Sequence, residues 1–263
     1  MHRTIRPPAV AGAFYPADRK RLEAEVRRHL AAAEQVELGF PLRALIVPHA
    51  GYVYSGPVAG TAYRLLEGDG HWRRVVLVGP SHYVWFPGLA LPAVDALGTP
   101  LGEVHVDQGG VDAALEMWGV SESPEAHARE HSLEVQLPFL QIVLPGVPVV
   151  PFVCGDVGPA DVADAVDPLL DEETLLVVSS DLSHYYDVET ARRLDAATID
   201  AIERLQPDEL GRESACGRIG IQAALYLARR RGYGVQTLDV RNSADTAGPP
   251  DRVVGYAAIA LGG

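Results

Sequence analysis

Cysteine is nearly absent: Cys154 and Cys216 are the only two in 263 residues, too few for a disulfide framework. Each reads as a small core thiol, because nothing in the sequence points to a lowered pKa. Long apolar runs are missing too. No stretch approaches the roughly 20 residues of a membrane span, and prolines break the N-terminal MHRTIRPPAVAGAFYP, so neither a span nor a signal peptide is expected and the protein is expected to be cytoplasmic. Basic residues are scarce, 22 against 35 acidic for a net charge of −13. That balance opposes nucleic acid and anionic membranes as partners, since both demand a basic footprint. Of the basic clusters, Arg229-Arg230-Arg231 follows a helical stretch, where cations suit the C-terminal dipole. The phosphate loop G-x-x-x-x-G-K-[ST], a G-x-G-x-x-G fingerprint after a strand and the G-x-S-x-G elbow are all missing.

What is present is 48% apolar residues with 26 glycines and 20 prolines, the composition of a globular protein with many turns. Buried-strand runs alternate with amphipathic stretches, which predicts βαβ construction and a mostly parallel sheet in one α/β domain spanning 1–263. Strands are predicted near 43–48, 74–79, 147–153, 174–179, 235–241 and 252–261. Helices are predicted near 18–33, 57–67, 108–118, 126–143, 159–170, 188–205 and 216–231. Segment 88–106, two apolar runs about a Gly-Thr-Pro turn, reads as an antiparallel hairpin appended to the main sheet, with His105 a structural residue inside it.

Three strand-like runs stop on a histidine followed closely by tyrosine: RALIVPHAGY, VVLVGPSHY and LLVVSSDLSHYY. In an open parallel sheet the ligand crevice lies beyond the carboxyl ends of the strands, so His49, His82 and His184 are predicted to converge there. Neutral imidazole binds iron, zinc and copper, and His49 and His82 form the natural pair, on strands taken as neighbours. Candidates for a third ligand are Asp181, Asp245, Glu130 and Glu134. A helix cap or turn accounts equally well for either aspartate. In EAHAREHSLEVQLPFL the pairs His127/His131 and Glu130/Glu134 have i,i+4 spacing. The glutamate of H-E-x-x-H is missing, so Glu130 and His131 read as crevice wall or support for the ligands, with a surface ion-pair face as the alternative. A Ser179/Ser180, Asp181, His184 triad is disfavoured because its members crowd one short loop.

The segments AVAGAFYP, VPHAGYVYSG, GPSHY, EHSLEVQLPFL, SSDLSHYY, ACGRIGI and VVGYAAIAL together resemble the Memo family, in order across nearly the whole chain. The resemblance implies a three-layer α/β sandwich shared with class III extradiol dioxygenases, enzymes that open catechol rings with non-haem Fe(II). It implies that His49 and His82 are metal ligands, that His184 is the acid/base and that Asp181 lines its pocket. Animal Memo proteins supply a third ligand, a cysteine, shortly before the last strand, where the dioxygenases use glutamate. This chain has NSADTAG there, with Thr246 at the matching position and Asp245 beside it, so Asp245 is the expected ligand.

The resulting expectation is a metal-dependent oxidoreductase holding Fe(II), with Cu or Zn as alternatives, and acting on a small phenolic substrate. Phe14, Tyr15, Tyr54, Ser81, Glu130, His131 and Tyr185 are expected around the pocket. Rival readings are a non-catalytic metal- or peptide-binding module and a zinc-type metallohydrolase. The resemblance also implies a pathway association with a radical-SAM-like protein and an AMMECR-type protein.

Overall fold

A computed structural model describes residues 4–263. Four short, apolar runs form the parallel heart of a nine-stranded sheet: β1 (Leu42–Val47), β2 (Arg74–Pro80), β3 (Val149–Cys154) and β4 (Thr174–Ser179). Their residues are almost all buried, as expected of parallel strands covered on both faces. The spatial order is β1-β4-β2-β3. The strand β5 (His184–Tyr186), the long β6 (Gly234–Asn242) and the last strand β7 (Val253–Gly262) extend the sheet antiparallel beyond β1, with β5 and β6 both pairing β7. On the other side, Leu89–Leu91 and Val120–Glu122 complete it.

Helices α1 (Arg19–Ala32) and α2 (Tyr52–Arg64) pack together with Leu137–Val143, while α4 (Arg218–Arg231) packs with Pro159–Val166 and α3 (Val188–Glu203) lies against β6 and β7. The expected α/β sandwich is therefore what forms. No helix among the described residues is long and apolar enough to cross a membrane.

Three expectations need correction. Only part of segment 88–106 behaves as an appended hairpin. Leu89–Leu91 joins the main sheet, whereas Ala96–Thr99 and Gly102–His105 pair with each other and, through the former, with Ile5–Arg6 in a separate small sheet. The helix predicted from Pro57 begins at Tyr52, because the N–H groups of Tyr54 and Ser55 already close onto Gly51 O and that of Tyr52 onto Phe14 O. The continuous helix predicted over 126–143 is broken into Pro124–Ala128, a 3-10 turn at Glu134–Gln136 and Leu137–Val143. The break lies where the Glu130 carboxylate captures the backbone N–H groups of His131 and Ser132.

Candidate metal centre

His49 follows β1 by two residues, His82 follows β2 by two, and Asp181 follows β4 by two. All three thus sit at the carboxyl ends of parallel strands, where such a sheet opens its crevice. The strands carrying His49 and His82 are not neighbours, contrary to expectation, since β4 lies between them. Their rings nevertheless meet at 5.2 Å across its end. His131 joins them from the broken helix segment, its ring 4.4 Å from that of His82 and 5.6 Å from that of His49. One ring nitrogen from each of the three histidines lies within 4.8 Å of the others, a grouping able to hold a metal ion.

Hydrogen bonding fixes which nitrogens are available. Ser179 Oγ lies 2.6 Å from Ser132 O, to which only the hydroxyl can donate, and it accepts from Gln136 Nε2 at 2.8 Å. A serine hydroxyl has one proton, so at the 2.9 Å contact with His49 Nδ1 the imidazole must be the donor. His49 Nε2 therefore carries the lone pair. His82 Nδ1 donates to Glu130 Oε1 at 2.8 Å, which again leaves Nε2 as the lone-pair nitrogen. His131 Nδ1 lies 3.3 Å from Tyr83 Oη and 3.5 Å from Glu130 Oε1.

Burial, reinforced by the charges of His82 and His131, holds His49 well below the ordinary histidine pKa. Burial and His82 push His131 down to about 4. Both are thus neutral imidazoles near pH 7, the ligand form. Burial would raise Glu130, but hydrogen bonds from His82 and Ser132 dominate and hold its carboxyl at about 2. The donor set fits a borderline metal ion such as Fe(II), Cu or Zn.

The histidines form part of the wall of a cavity of about 600 Å³ that also exposes Asp181, His184 and Cys216. His184 Nδ1 donates to Leu182 O at 2.8 Å, so its Nε2 is free to accept a proton. Asp181 is buried and takes the His49 N–H on Oδ1 at 2.7 Å. Burial raises its carboxyl to about 6 against the opposing pull of the His49 N–H, the His184 charge and the Ala50 N–H. Phe14, Tyr54 and Tyr185 line the same cavity, as expected.

Other expected residues lie elsewhere. Glu130 does not line the cavity and instead sits buried behind His82. The Ser81 hydroxyl closes a local turn onto Val84 O and does not face the cavity. Tyr15 is buried and donates to Glu134, which also binds Arg6 and the N–H groups of Ala9 and Val10. That cluster pins the N-terminal segment so that Phe14 packs 4.6 Å from His131.

Asp245 is not brought to the histidines. Its carboxylate accepts the Asn242 N–H at 2.9 Å and Arg192 Nη2 at 3.0 Å, capping a turn that borders a separate cavity of about 300 Å³. His131 takes the place the sequence assigned to Asp245. Its place in the crevice wall is as expected, and the helix break adds its position beside His49 and His82.

Cys216, read as a core residue, has its Sγ 3.2 Å from His49 Nε2. Gly217 permits this approach, since a Cβ there would come within 2.6 Å of Ser179 O. Burial, followed by the Asp181 charge, pushes the Cys216 thiol up to about 12, so it stays protonated. Its S–H can donate to His49 Nε2 or turn to Asp181 O at 3.6 Å.

Comparison with known proteins gives a consistent picture. A family profile described as Memo-like protein matches residues 6–260. MEMO1 family proteins of Aquifex aeolicus, Archaeoglobus fulgidus and Thermotoga maritima are 38%, 36% and 36% identical, over 96%, 97% and 97% of this chain and 97%, 98% and 99% of their own lengths. With the profile and the relatives matching from end to end over the histidine-bearing segments, the chain belongs to the Memo family.

Proposed function

We propose that this protein is a metal-dependent oxidoreductase acting on a small phenolic or similarly planar substrate, with His49, His82 and His131 holding the ion. The carrying observation is the convergence of these imidazoles, with the His49 and His82 tautomers fixed, in the wall of a cavity that also holds His184 and Asp181. When bound, iron or copper would supply Lewis acidity and one-electron chemistry.

The protein's own part is to orient and to move protons. Ser179 and Glu130 hold the rings of His49 and His82 in one tautomer. Phe14, Tyr54 and Tyr256 form aromatic wall against which a ring can seat and exclude water. His184 Nε2 takes the phenolic proton, a contribution typically worth about 10² to 10⁴ in rate. Asp181 lies in the same wall, and the charge of His184 works against the burial that raises its carboxyl.

A second reading is favoured by one feature: three imidazoles with no carboxylate is also the donor set of hydrolytic zinc sites. Metal content after anaerobic purification, followed by oxygen uptake of the Fe(II)-loaded protein over a panel of catechols, separates the two. The oxidoreductase reading expects bound iron or copper and substrate-dependent oxygen consumption. Bound zinc with ester hydrolysis and no oxygen uptake would replace it. His82→Ala is expected to weaken metal binding at least tenfold, and unchanged affinity would remove the site.

A further inference from the structure

The cavity that holds the histidines has one feature that metal binding and proton transfer leave unused. Among the described residues, Arg252 is the only lysine or arginine in its wall. The chain has 35 acidic residues for 22 basic ones, and other arginines find partners: Arg231 pairs with Asp167, and Arg204 with Asp200 and Glu209. Arg252 makes no hydrogen bond or ion pair among the described residues. Its guanidinium instead lies over the ring of Tyr185, 4.5 Å from the centroid. Asp181, the carboxylate in the same wall, does not pair with it and is engaged with the His49 N–H.

The platform beneath Arg252 is maintained at a cost. Tyr185 has φ +67°, a left-handed conformation rare for a bulky residue, and such backbone strain persists only where the surrounding structure enforces it. The strain coincides with a register shift in the pairing of β5 with β7, where His184 opposes Val254 and Tyr186 opposes Val253. In a regular strand, adjacent side chains point to opposite faces. Here His184 and Tyr185, consecutive residues, both line the cavity, which is the re-aiming that a bulge achieves beside a functional site. Tyr185 is also 62% exposed, so burial is not what the strained conformation secures.

A guanidinium carries its five N–H donors in its plane. Stacking on a ring occupies a face, steadies the group, and leaves that edge for a two-point contact with an oxyanion. A volume of about 600 Å³ falls in the range of small-molecule sites, roughly 300–1,000 Å³, and the aromatic walls favour a planar body. We infer that the ligand of this cavity is a small planar oxyanion, and that Arg252, stacked on Tyr185, recognises its carboxylate or phosphate. This names the substrate class for the site proposed above and rests on that reading only for the chemistry that follows binding.

The test uses the full-length chain and isothermal titration calorimetry with benzoate, phenyl phosphate and the neutral benzamide. Each is titrated into wild type, Arg252→Gln and Arg252→Lys, with and without chelator, and metal content is measured on the same preparations. At least one anion is expected to bind wild type ten or more times tighter than benzamide; whether benzoate or phenyl phosphate leads identifies the acid group. Arg252→Gln is expected to abolish that preference with benzamide affinity unchanged, while Arg252→Lys, lacking the planar fork, keeps only part of it.

The preference is expected to survive chelation, which separates it from an anion held by a bound ion. Equal binding of anions and benzamide, no measurable anion binding, or a preference retained in Arg252→Gln would each overturn the assignment, whatever the metal content. Loss of metal binding in His82→Ala alongside an intact anion preference would leave both readings standing. Full metal retention in His82→Ala would remove the metal site alone.

Discussion

Glu130 accepts the backbone N–H and the ring Nδ1 of His82 together with the N–H groups of His131 and Ser132. One buried carboxylate thereby ends a helix, orients one ligand imidazole and locates the backbone of a second. A carboxylate suits the task because both of its oxygens only accept. Glu130→Gln replaces one oxygen by an NH₂ group that must face an N–H donor, so two donors oppose each other in a buried site. Metal affinity is expected to fall 10- to 100-fold, the usual consequence of losing a group that orients a ligand. A competition titration of Co²⁺ against a chelator measures it, and an unchanged affinity would reduce Glu130 to a fold-stabilising residue. His49, His82, His184 and Asp181 were legible in the sequence because each follows a short apolar run. His131 was legible as crevice wall but not as a neighbour of His49 and His82, because that position depends on a broken helix, and Cys216 was not legible at the site because its place depends on a glycine packed against β4.

Elements were legible where burial alone determines them. The runs predicted at 43–48, 74–79 and 174–179 appear as Leu42–Val47, Arg74–Pro80 and Thr174–Ser179, because strands covered on both faces read as unbroken apolar segments. The order of those strands was not legible, and the insertion of β4 between β1 and β2 corrects the assumption that the first two histidines hang from neighbours. Helix crossings were equally hidden. Helices α1 and α2 approach so closely that a Cβ on Gly56 would lie 2.5 Å from His29 Nε2, and one on Gly60 2.7 Å from His29 O. On an isolated helix Gly60→Ala would gain about 1 kcal/mol of propensity. Here the contact is a backbone carbonyl that cannot rotate aside, and overpacking of this kind costs about 1–3 kcal/mol. A lower urea midpoint is therefore expected despite the better helix former, and a raised midpoint would mean that α1 shifts freely on α2.

For the molecule as a whole, histidine burial sets the response to acid. His29 on α1 and His127 beside Leu89–Leu91 are both pushed down to about 4 by burial, with Arg28 adding to the first. In the unfolded chain each titrates near 6.5. Above that pH neither state binds the proton and the two residues contribute no pH dependence. Between about 6.5 and 4 the unfolded chain takes up protons that the fold refuses, so stability declines as pH falls through this window and levels off below it. Asp181, raised to about 6, acts in the opposite sense over part of the same range, so a single wild-type curve does not isolate the histidines. His127→Gln does. His127 Nε2 donates to Ala90 O at 2.9 Å, and glutamine can keep an N–H there without titrating. Unfolding free energies from urea titrations at pH 7, 6 and 5, with chelator present to remove metal linkage, are expected to fall less steeply with acid in His127→Gln than in wild type, by close to one proton in slope near pH 5. Parallel curves would mean that His127 takes up its proton inside the fold and that its burial is less complete than its packing implies.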